Sequence, residues 1–333
     1  MTRIYGIGNP LIDILCTITN EDLEKLSLYK GTMHLIDKDR HKELLTYLSG
    51  HKKVYSPGGS CPNTMVTLAS LGIDTTVAGG VGKDDLSKIY REKLTQSGAK
   101  DELVSFDEPT GTSIILLTED RERTMNTFLG ANRCFDWKDV NQATVDKADI
   151  FYFTGYMWDT EPQQRAIKYV LKQCKEKNIK VAFDVADPFA VGRYRQTFLG
   201  LISSYCDIVF ANSEEARYLF DNYDAYECCK SMGKLAPVAI VKNGKKGSFV
   251  SDNKVITNIP VQGSSTPVDT TGAGDTYAAG FLYGVAKGYD SVRCGKIASY
   301  LAGEIISQMG AQFSKEKALE IRSYLEKTYN NAK

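Results

Sequence analysis

The segment Val268-Asp269-Thr270-Thr271-Gly272-Ala273-Gly274-Asp275 carries the residue types with the clearest chemical consequence in this chain. It leads into residues 276–287, a helix candidate with a face of small residues at Ala278, Ala279 and Gly280. Glycines at a helix start leave backbone N–H groups pointing outward where the helix dipole is positive, so Gly272, Ala273 and Gly274 offer an anion site without any basic side chain. A phosphate is the natural guest. Asp275 follows directly, and a carboxylate beside a transferring phosphoryl group serves mainly as a base for the attacking hydroxyl. A lone Gly-Ala-Gly turn would instead read as a tight strand-to-helix connection with an acidic first turn.

Four other places hold groups of the same potential. Asp13 ends Gly8-Asn9-Pro10-Leu11-Ile12-Asp13 and interrupts an apolar run; burying a carboxylate unpaired is costly, so either a hydroxyl-rich ligand or a solvated turn accounts for it. The pair Gly58-Gly59 permits backbone angles and close approaches that other residues resist, and Asn63 nearby offers both a donor and an acceptor to hydroxyls. Asn212-Ser213-Glu214-Glu215 reads as a capped helix start after a strand. The turn from Gly244 to Gly247, behind Lys242, suits a loop over a nucleotide and equally a solvated basic loop.

Several chemistries are excluded. Gly82-Lys83 is followed by Asp84, Gly244-Lys245 by Lys246 and Gly295-Lys296 by Ile297, so none is a Walker A loop. Gly6-Ile7-Gly8 has Leu11 where the third glycine of a dinucleotide fingerprint belongs. His34, His41 and His51 are the only histidines, and they form no zinc spacing or nucleophile elbow. The 333 residues include 41 basic and 41 acidic ones, which argues against nucleic-acid and membrane-surface partners. Eight scattered cysteines without a C-x-x-C pair or an export signal point to a reduced, cytoplasmic compartment, with Cys228 and Cys229 as one buried and one exposed thiol on a helix.

The elements that must position these residues alternate. Residues 149–153, 179–184, 207–211 and 238–242 read as strands, and Pro162 opens a helix whose apolar stripe is Ala166, Ile167, Val170, Leu171 and Cys174. Residues 3–8 read as a strand, 60–71 as a helix stopped by Gly72, and 84–96 as a helix stopped by Gly98. Strand, helix, strand repeated predicts a doubly wound, mostly parallel sheet with ligands beyond its carboxyl ends. Residues 14–36 and 103–128 break that rhythm and are expected to pair into a small β lid on a single large α/β domain spanning 1–333.

The run 269–275, with Tyr-Ala-Ala-Gly-Phe at 277–281, resembles the C-terminal signature of the ribokinase-like (PfkB) family of sugar and nucleoside kinases. Gly58 to Asn63 resembles that family's N-terminal motif and Asn212 to Glu215 its Asn-x-x-Glu. Gly8 to Asp13, Arg123-Thr124-Met125 and Asp187-Pro188-Phe189 look like its adenosine-phosphorylating branch. The resemblance implies ATP and Mg²⁺ as cofactors, Asp275 as base, an anion hole at Gly272 to Gly274, and a lid arginine on phosphate at Arg123 or Arg121. It also implies acceptor contacts from Asn9, Asp13, Gly58, Gly59, Ser60 and Asn63, with Leu11, His34, Ile36, Tyr156 and Met157 around the base. Asn212 and Glu215 would organise Mg²⁺ through water, and Lys242, Gly244 and Gly247 would meet the nucleotide. A potassium ion near Asp269, and a monomer or a homodimer, are compatible with the family. The expected reaction is ATP-dependent phosphorylation of a nucleoside 5′-hydroxyl, adenosine first. Ribose, fructose, inosine or guanosine are the alternative acceptors, and a catalytically silent binding protein is the remaining reading.

Overall fold

The computed structural model describes residues 2–120, 122–263 and 267–329. Arg121 therefore lies outside the described residues. In chain order the strands are β1 (Arg3–Ile7), β2 (Leu11–Thr17), β3 (Met33–Leu35), β4 (Lys53–Gly58), β5 (Asp74–Gly82), β6 (Lys100–Phe106), β7 (Thr112–Leu117), β8 (Arg123–Phe128), β9 (Ile150–Thr154), β10 (Lys180–Asp184), β11 (Ile208–Asn212), β12 (Val238–Lys242), β13 (Ser248–Asp252) and β14 (Val255–Ile259).

Nine of them form one sheet in the order β14-β13-β12-β11-β10-β9-β1-β5-β6, parallel from β6 to β12 and antiparallel only at β13 and β14. The centre of this sheet is apolar without alternation, as in Ile-Phe-Tyr-Phe-Thr of β9, because both faces are covered. Period-two geometry then sorts the same residues into two cores. Tyr5, Phe151, Phe153, Phe183 and Val209 join the helices Glu161–Lys177, Pro188–Tyr205, Ser213–Phe220 and Ala225–Met232 on one face. Ile4, Tyr152, Ala182, Phe210 and Ile240 join Ser60–Ser70, Ala273–Ala286, Ser291–Ile305 and Lys315–Tyr329 on the other. The helix Ala225–Met232 buries both Cys228 and Cys229, contrary to the expected division, because its thiols face Asn222 on one side and Ala239 and Phe249 on the other.

The remaining strands form a second sheet in the order β3-β8-β7-β2-β4. Its outer face, with Ile12, Ile14, Ile114 and Leu116, packs with Leu44 of the helix Lys38–Tyr47. Its inner face looks onto the carboxyl ends of the large sheet, and the turn Gly8-Asn9-Pro10 carries the chain from β1 into it. The expected boundaries shift. Residues 103–106 complete β6 at the edge of the large sheet, while β4 joins the small one. Alternation in 103–106 identifies a strand but not which sheet receives it, and β4 carries Pro57 and exposed Val54 and Tyr55, which an edge strand accommodates and a sequence pattern reads as loop. No described helix is long and apolar enough to cross a membrane.

Candidate active site

A cavity of about 1230 Å³ opens between the inner face of the small sheet and the carboxyl ends of β1, β9, β10, β11 and β12. Asp275 lies on it in the first turn of Ala273–Ala286. Its carboxylate accepts Ser60 Oγ at 2.6 Å on Oδ1 and Asn63 Nδ2 at 3.0 Å on Oδ2. Both donors come from the helix Ser60–Ser70, whose Thr64 Oγ1 also donates to the Asp275 carbonyl at 3.1 Å. Burial pushes the carboxyl up to about 6, against the pull of Ser60 and Asn63. The group is thus oriented by two donors and holds a proton-accepting strength well above that of a surface aspartate.

Gly272 caps this helix in the left-handed region at φ +74, where a side chain is strained, and a Cβ there would lie 2.6 Å from that of Ala311. No side chain caps the helix start, so its first-turn N–H groups face the cavity. The Ala273 N–H is partly engaged by the Thr270 carbonyl at 3.3 Å, leaving Gly272 and Gly274 as the better anion donors of the three expected. Lys242 adds a full charge here: its Nζ lies 3.4 Å from where a Cβ on Gly274 would sit, and 3.0 Å from Asp184 Oδ2. Burial pulls its ammonium down, but the carboxylates of Asp184 and Glu215 hold it above its ordinary value. The sequence places Lys242 at the end of a strand, ahead of the turn from Gly244 to Gly247 expected over the nucleotide, and does not single out Asp184. An aspartate closing the apolar strand Lys-Val-Ala-Phe-Asp is the same signal that marked Asp13.

Arg123 reaches from β8 of the small sheet across to the anion loop, paired with Asp269 at 2.7 Å and bonded to Thr271 Oγ1. Asp269 is saturated by these neighbours: Thr271 donates its N–H at 2.9 Å and its hydroxyl at 2.7 Å, and Gly310 N–H donates at 2.9 Å.

On the acceptor side Asp13 faces the cavity from β2, and Gly58 on the neighbouring β4, paired with Leu11, has to be glycine, because a Cβ there would lie 2.4 Å from Asp13 Oδ2. Burial, with Asp275 adding negative charge, pushes the Asp13 carboxyl up to about 7. Asn9, Gly59 and Ser60 line the same space, and Gln163 Nε2 donates to Asn9 Oδ1 at 2.5 Å. Leu11 and Tyr156 line it as expected, joined by Met33, Leu35, Met125 and Leu129, which the sequence reading missed.

His34, Ile36 and Met157 are not brought to the cavity. The alternation of β3 turns Met33 and Leu35 inward and His34 outward, where its Nε2 meets Thr32 Oγ1 at 2.6 Å. Ile36 packs against the core beneath the small sheet, and Met157 is fully buried in the core that contains Phe153 and Phe198.

Asn212 and Glu215 line the cavity at the end of β11 and close on each other. Asn212 Oδ1 accepts Glu215 N–H at 2.8 Å, while the Asn212 backbone and amide donate to the two Glu215 oxygens at 2.7 and 2.6 Å. This is the reciprocal capping box of a helix start, set at the edge of the cavity. Burial pushes the Glu215 carboxyl up. Gly244 and Gly247 sit at the cavity edge around the turn Gly244–Lys246. Among the described residues there is no cluster of three or more acidic, histidine or cysteine side chains able to cage a metal.

A hydroxyl set between Asp13 and Asp275 would have a buried carboxylate on one side and an uncapped helix start with Lys242 on the other, a geometry compatible with phosphoryl transfer. Comparison with known proteins agrees. Residues 32–318 match the model of the pfkB family of carbohydrate kinases. The structure of adenosine kinase from Sinorhizobium meliloti superposes with a TM-score of 0.89 at 33% identity, covering 97% of this chain and 99% of that one. A probable sugar kinase from Rhizobium etli superposes with a TM-score of 0.88 at 32% identity, covering 96% and 98%. Adenosine kinase from Dictyostelium discoideum is 28% identical, covering 93% of this chain and 96% of its own.

Proposed function

The chain belongs to the pfkB family of carbohydrate kinases, and from that premise we propose that it transfers the γ-phosphate of ATP to the 5′-hydroxyl of adenosine, giving AMP and ADP. The observation that carries the reading is the buried Asp275 carboxylate, held by Ser60 and Asn63 at a helix N-terminus and sharing one cavity with Asp13. Asp13 and Asn9 bind ribose hydroxyls and set the 5′-hydroxyl toward Asp275, which takes its proton. The amides of Gly272 and Gly274 and the ammonium of Lys242 face the moving phosphoryl group. Because its transition state is loose, most of the acceleration comes from positioning and charge.

The buried carboxylates of Glu215 and Asp184 at the nucleotide end suit a divalent cation carried by phosphates and met through water, since no protein cage exists among the described residues. Held there through water by Glu215 and Asp184, Mg²⁺ would neutralise triphosphate charge. Potassium beside Asp269 would have to displace Arg123, because the carboxylate oxygens are already taken. The small sheet serves as a lid, and Arg123 ties it to the anion loop so that water is excluded during transfer.

The apolar surface of Leu11, Met33, Leu35, Met125 and Leu129, with the Tyr156 ring, favours a nucleoside over a free sugar, which would leave that surface uncovered. The test is ADP release by the purified protein with Mg·ATP and adenosine, inosine, guanosine, ribose or fructose. Preference for adenosine by orders of magnitude is expected; turnover with a free sugar alone would overturn the base-binding reading while keeping the phosphotransfer chemistry.

The pH dependence follows from the two raised carboxyls. Asp275 at about 6 and Asp13 at about 7 interact, so their protons leave in two steps that belong to the pair, and both must be ionised for proton abstraction and ribose binding. We expect kcat/KM for adenosine to fall on the acid side with an apparent limb between about 6 and 7. A profile level down to the ordinary carboxylate range would count against both assignments.

A further inference from the structure

Asp275 is aligned by Asn63, and Asn63 is itself held from a distant part of the chain. Gln312, in the loop between the helices Ser291–Ile305 and Lys315–Tyr329, donates from Nε2 to Asn63 Oδ1 at 3.0 Å and to the Pro57 carbonyl at 3.3 Å. The orientation of this chain of amides follows from its ends. The Asp275 carboxylate and the Pro57 carbonyl only accept, so Asn63 must turn its NH₂ to Asp275 and Gln312 must turn its own to Asn63 and Pro57. Without Gln312 the Asn63 Oδ1 loses its donor and only the hydrogen bond to Asp275 itself holds the amide, so the group that should steer the carboxylate is free to swing with it. The flanking residues brace the same site: Gly310 N–H donates to Asp269 Oδ2 at 2.9 Å, Ala311 packs on Gly272, and the Gln312 carbonyl accepts Gln308 Nε2 at 2.9 Å.

We propose that Gln312 is a positioning residue for the phosphotransfer, fixing the amide of Asn63 so that it donates to Asp275 and holds the carboxylate toward the acceptor hydroxyl. The inference rests on the reading of Asp275 as the base. Gln312 touches neither reactant, so its loss should appear in kcat and not in acceptor binding.

The titratable groups within electrostatic reach of Asp275 are Asp13, Cys61, Tyr152, Tyr156, Asp184 and Lys242, and a neutral substitution at 312 leaves all their charges in place. The Asn63 hydrogen bond favours the ionised base, so losing it moves the acid limb of the rate profile to higher pH.

Gln312→Ala is expected to lower kcat about tenfold or more, the scale of a misplaced reacting group, with KM for adenosine changed by less than about twofold. Gln312→Glu keeps the shape and presents an acceptor instead of a donor; it should be equally slow, and it carries the test if the alanine variant does not fold. In an Asn63→Ala background the Gln312→Ala change should add nothing further to the loss. Unchanged kcat and acid limb in a folded Gln312→Ala protein, beside an inactive Asp275→Asn, would overturn this inference alone, as would losses that add in the double variant. Full turnover by Asp275→Asn would instead remove the base reading on which it stands.

Discussion

Asp275→Asn is expected to lower kcat by at least about 10²-fold, the lower scale of general-base effects, with adenosine binding largely kept. The substitution is nearly isosteric, so the helix start and the anion-facing amides of Gly272 and Gly274 should persist, and Ser60 Oγ still has an oxygen to donate to. What is lost is the acceptor for the 5′-hydroxyl proton. The carboxylate can receive it because burial has raised its strength as a base, and an amide cannot. A second consequence concerns Asn63, whose NH₂ donates to this carboxylate. An asparagine at 275 can set its own NH₂ against that of Asn63, and part of the loss then reflects realignment. Comparing Asp275→Asn with Asp275→Ala separates the two, since alanine removes the base without introducing a competing donor. Steady-state kcat and KM, with circular dichroism as the check on folding, decide the matter; near-normal turnover in a folded Asp275→Asn protein would remove Asp275 from the role of base.

Replacing Asp13 by Asn should separate binding from stability. Charged hydrogen bonds contribute about 1.5–3 kcal/mol each, so if Asp13 holds two ribose hydroxyls as proposed, its loss should raise KM for adenosine by about 10²-fold or more. The same change should stabilise the fold above neutral pH. The Asp13 carboxyl goes from its ordinary 3.8 to about 7 on burial, so the folded state binds its proton more tightly than the unfolded chain does. The stability this contributes is complete below the ordinary value and is lost as pH rises through about 7, where the folded protein must hold an ionised buried carboxylate beside Asp275. A neutral amide removes that penalty, which is on the order of a few kcal/mol. Thermal unfolding should therefore show a higher Tm for Asp13→Asn than for the unaltered protein at pH 8, with the difference shrinking toward pH 5. A lower Tm at both pH values would mean that Asp13 is tied into the fold by contacts that outweigh its burial. Such an opposition of binding and stability is what the proposed role of Asp13 entails, since a buried carboxylate kept for a ligand costs stability when the ligand is away.

Much of the architecture was legible from local pattern. The strand expected at 238–242 is β12, and those expected at 149–153, 179–184 and 207–211 lie within one residue of β9, β10 and β11. Short β-branched and aromatic runs between longer helical ones leave few other arrangements. The helix expected from Asp84 begins at Asp85 with Asp84 as its cap, because its side chain accepts the Ser87 N–H. The helix start at Gly272-Ala273-Gly274-Asp275 was legible for the same reason: its residues are contiguous, and a helix N-terminus is a local property.

Properties that depend on register or on long separations were not. Period two says that β3 has two faces, and only its pairing with β8 decides that Met33 and Leu35 meet the cavity while His34 turns away. Which sheet receives residues 103–106 depends on pairing with β5, which no window around them contains. Lys242 reads locally as the end of a strand, and its contact with Asp184 spans 58 positions. Gln312 reaches Asn63 across 249. By itself the sequence determined the alternation of elements, the glycine-rich helix start at 272–274 and the acids of Asp13 and Asp275, because each is written in neighbouring residues. The tertiary structure alone decided which side chains converge on those acids, because that depends on how the sheets stack and not on the order of residues along any one segment.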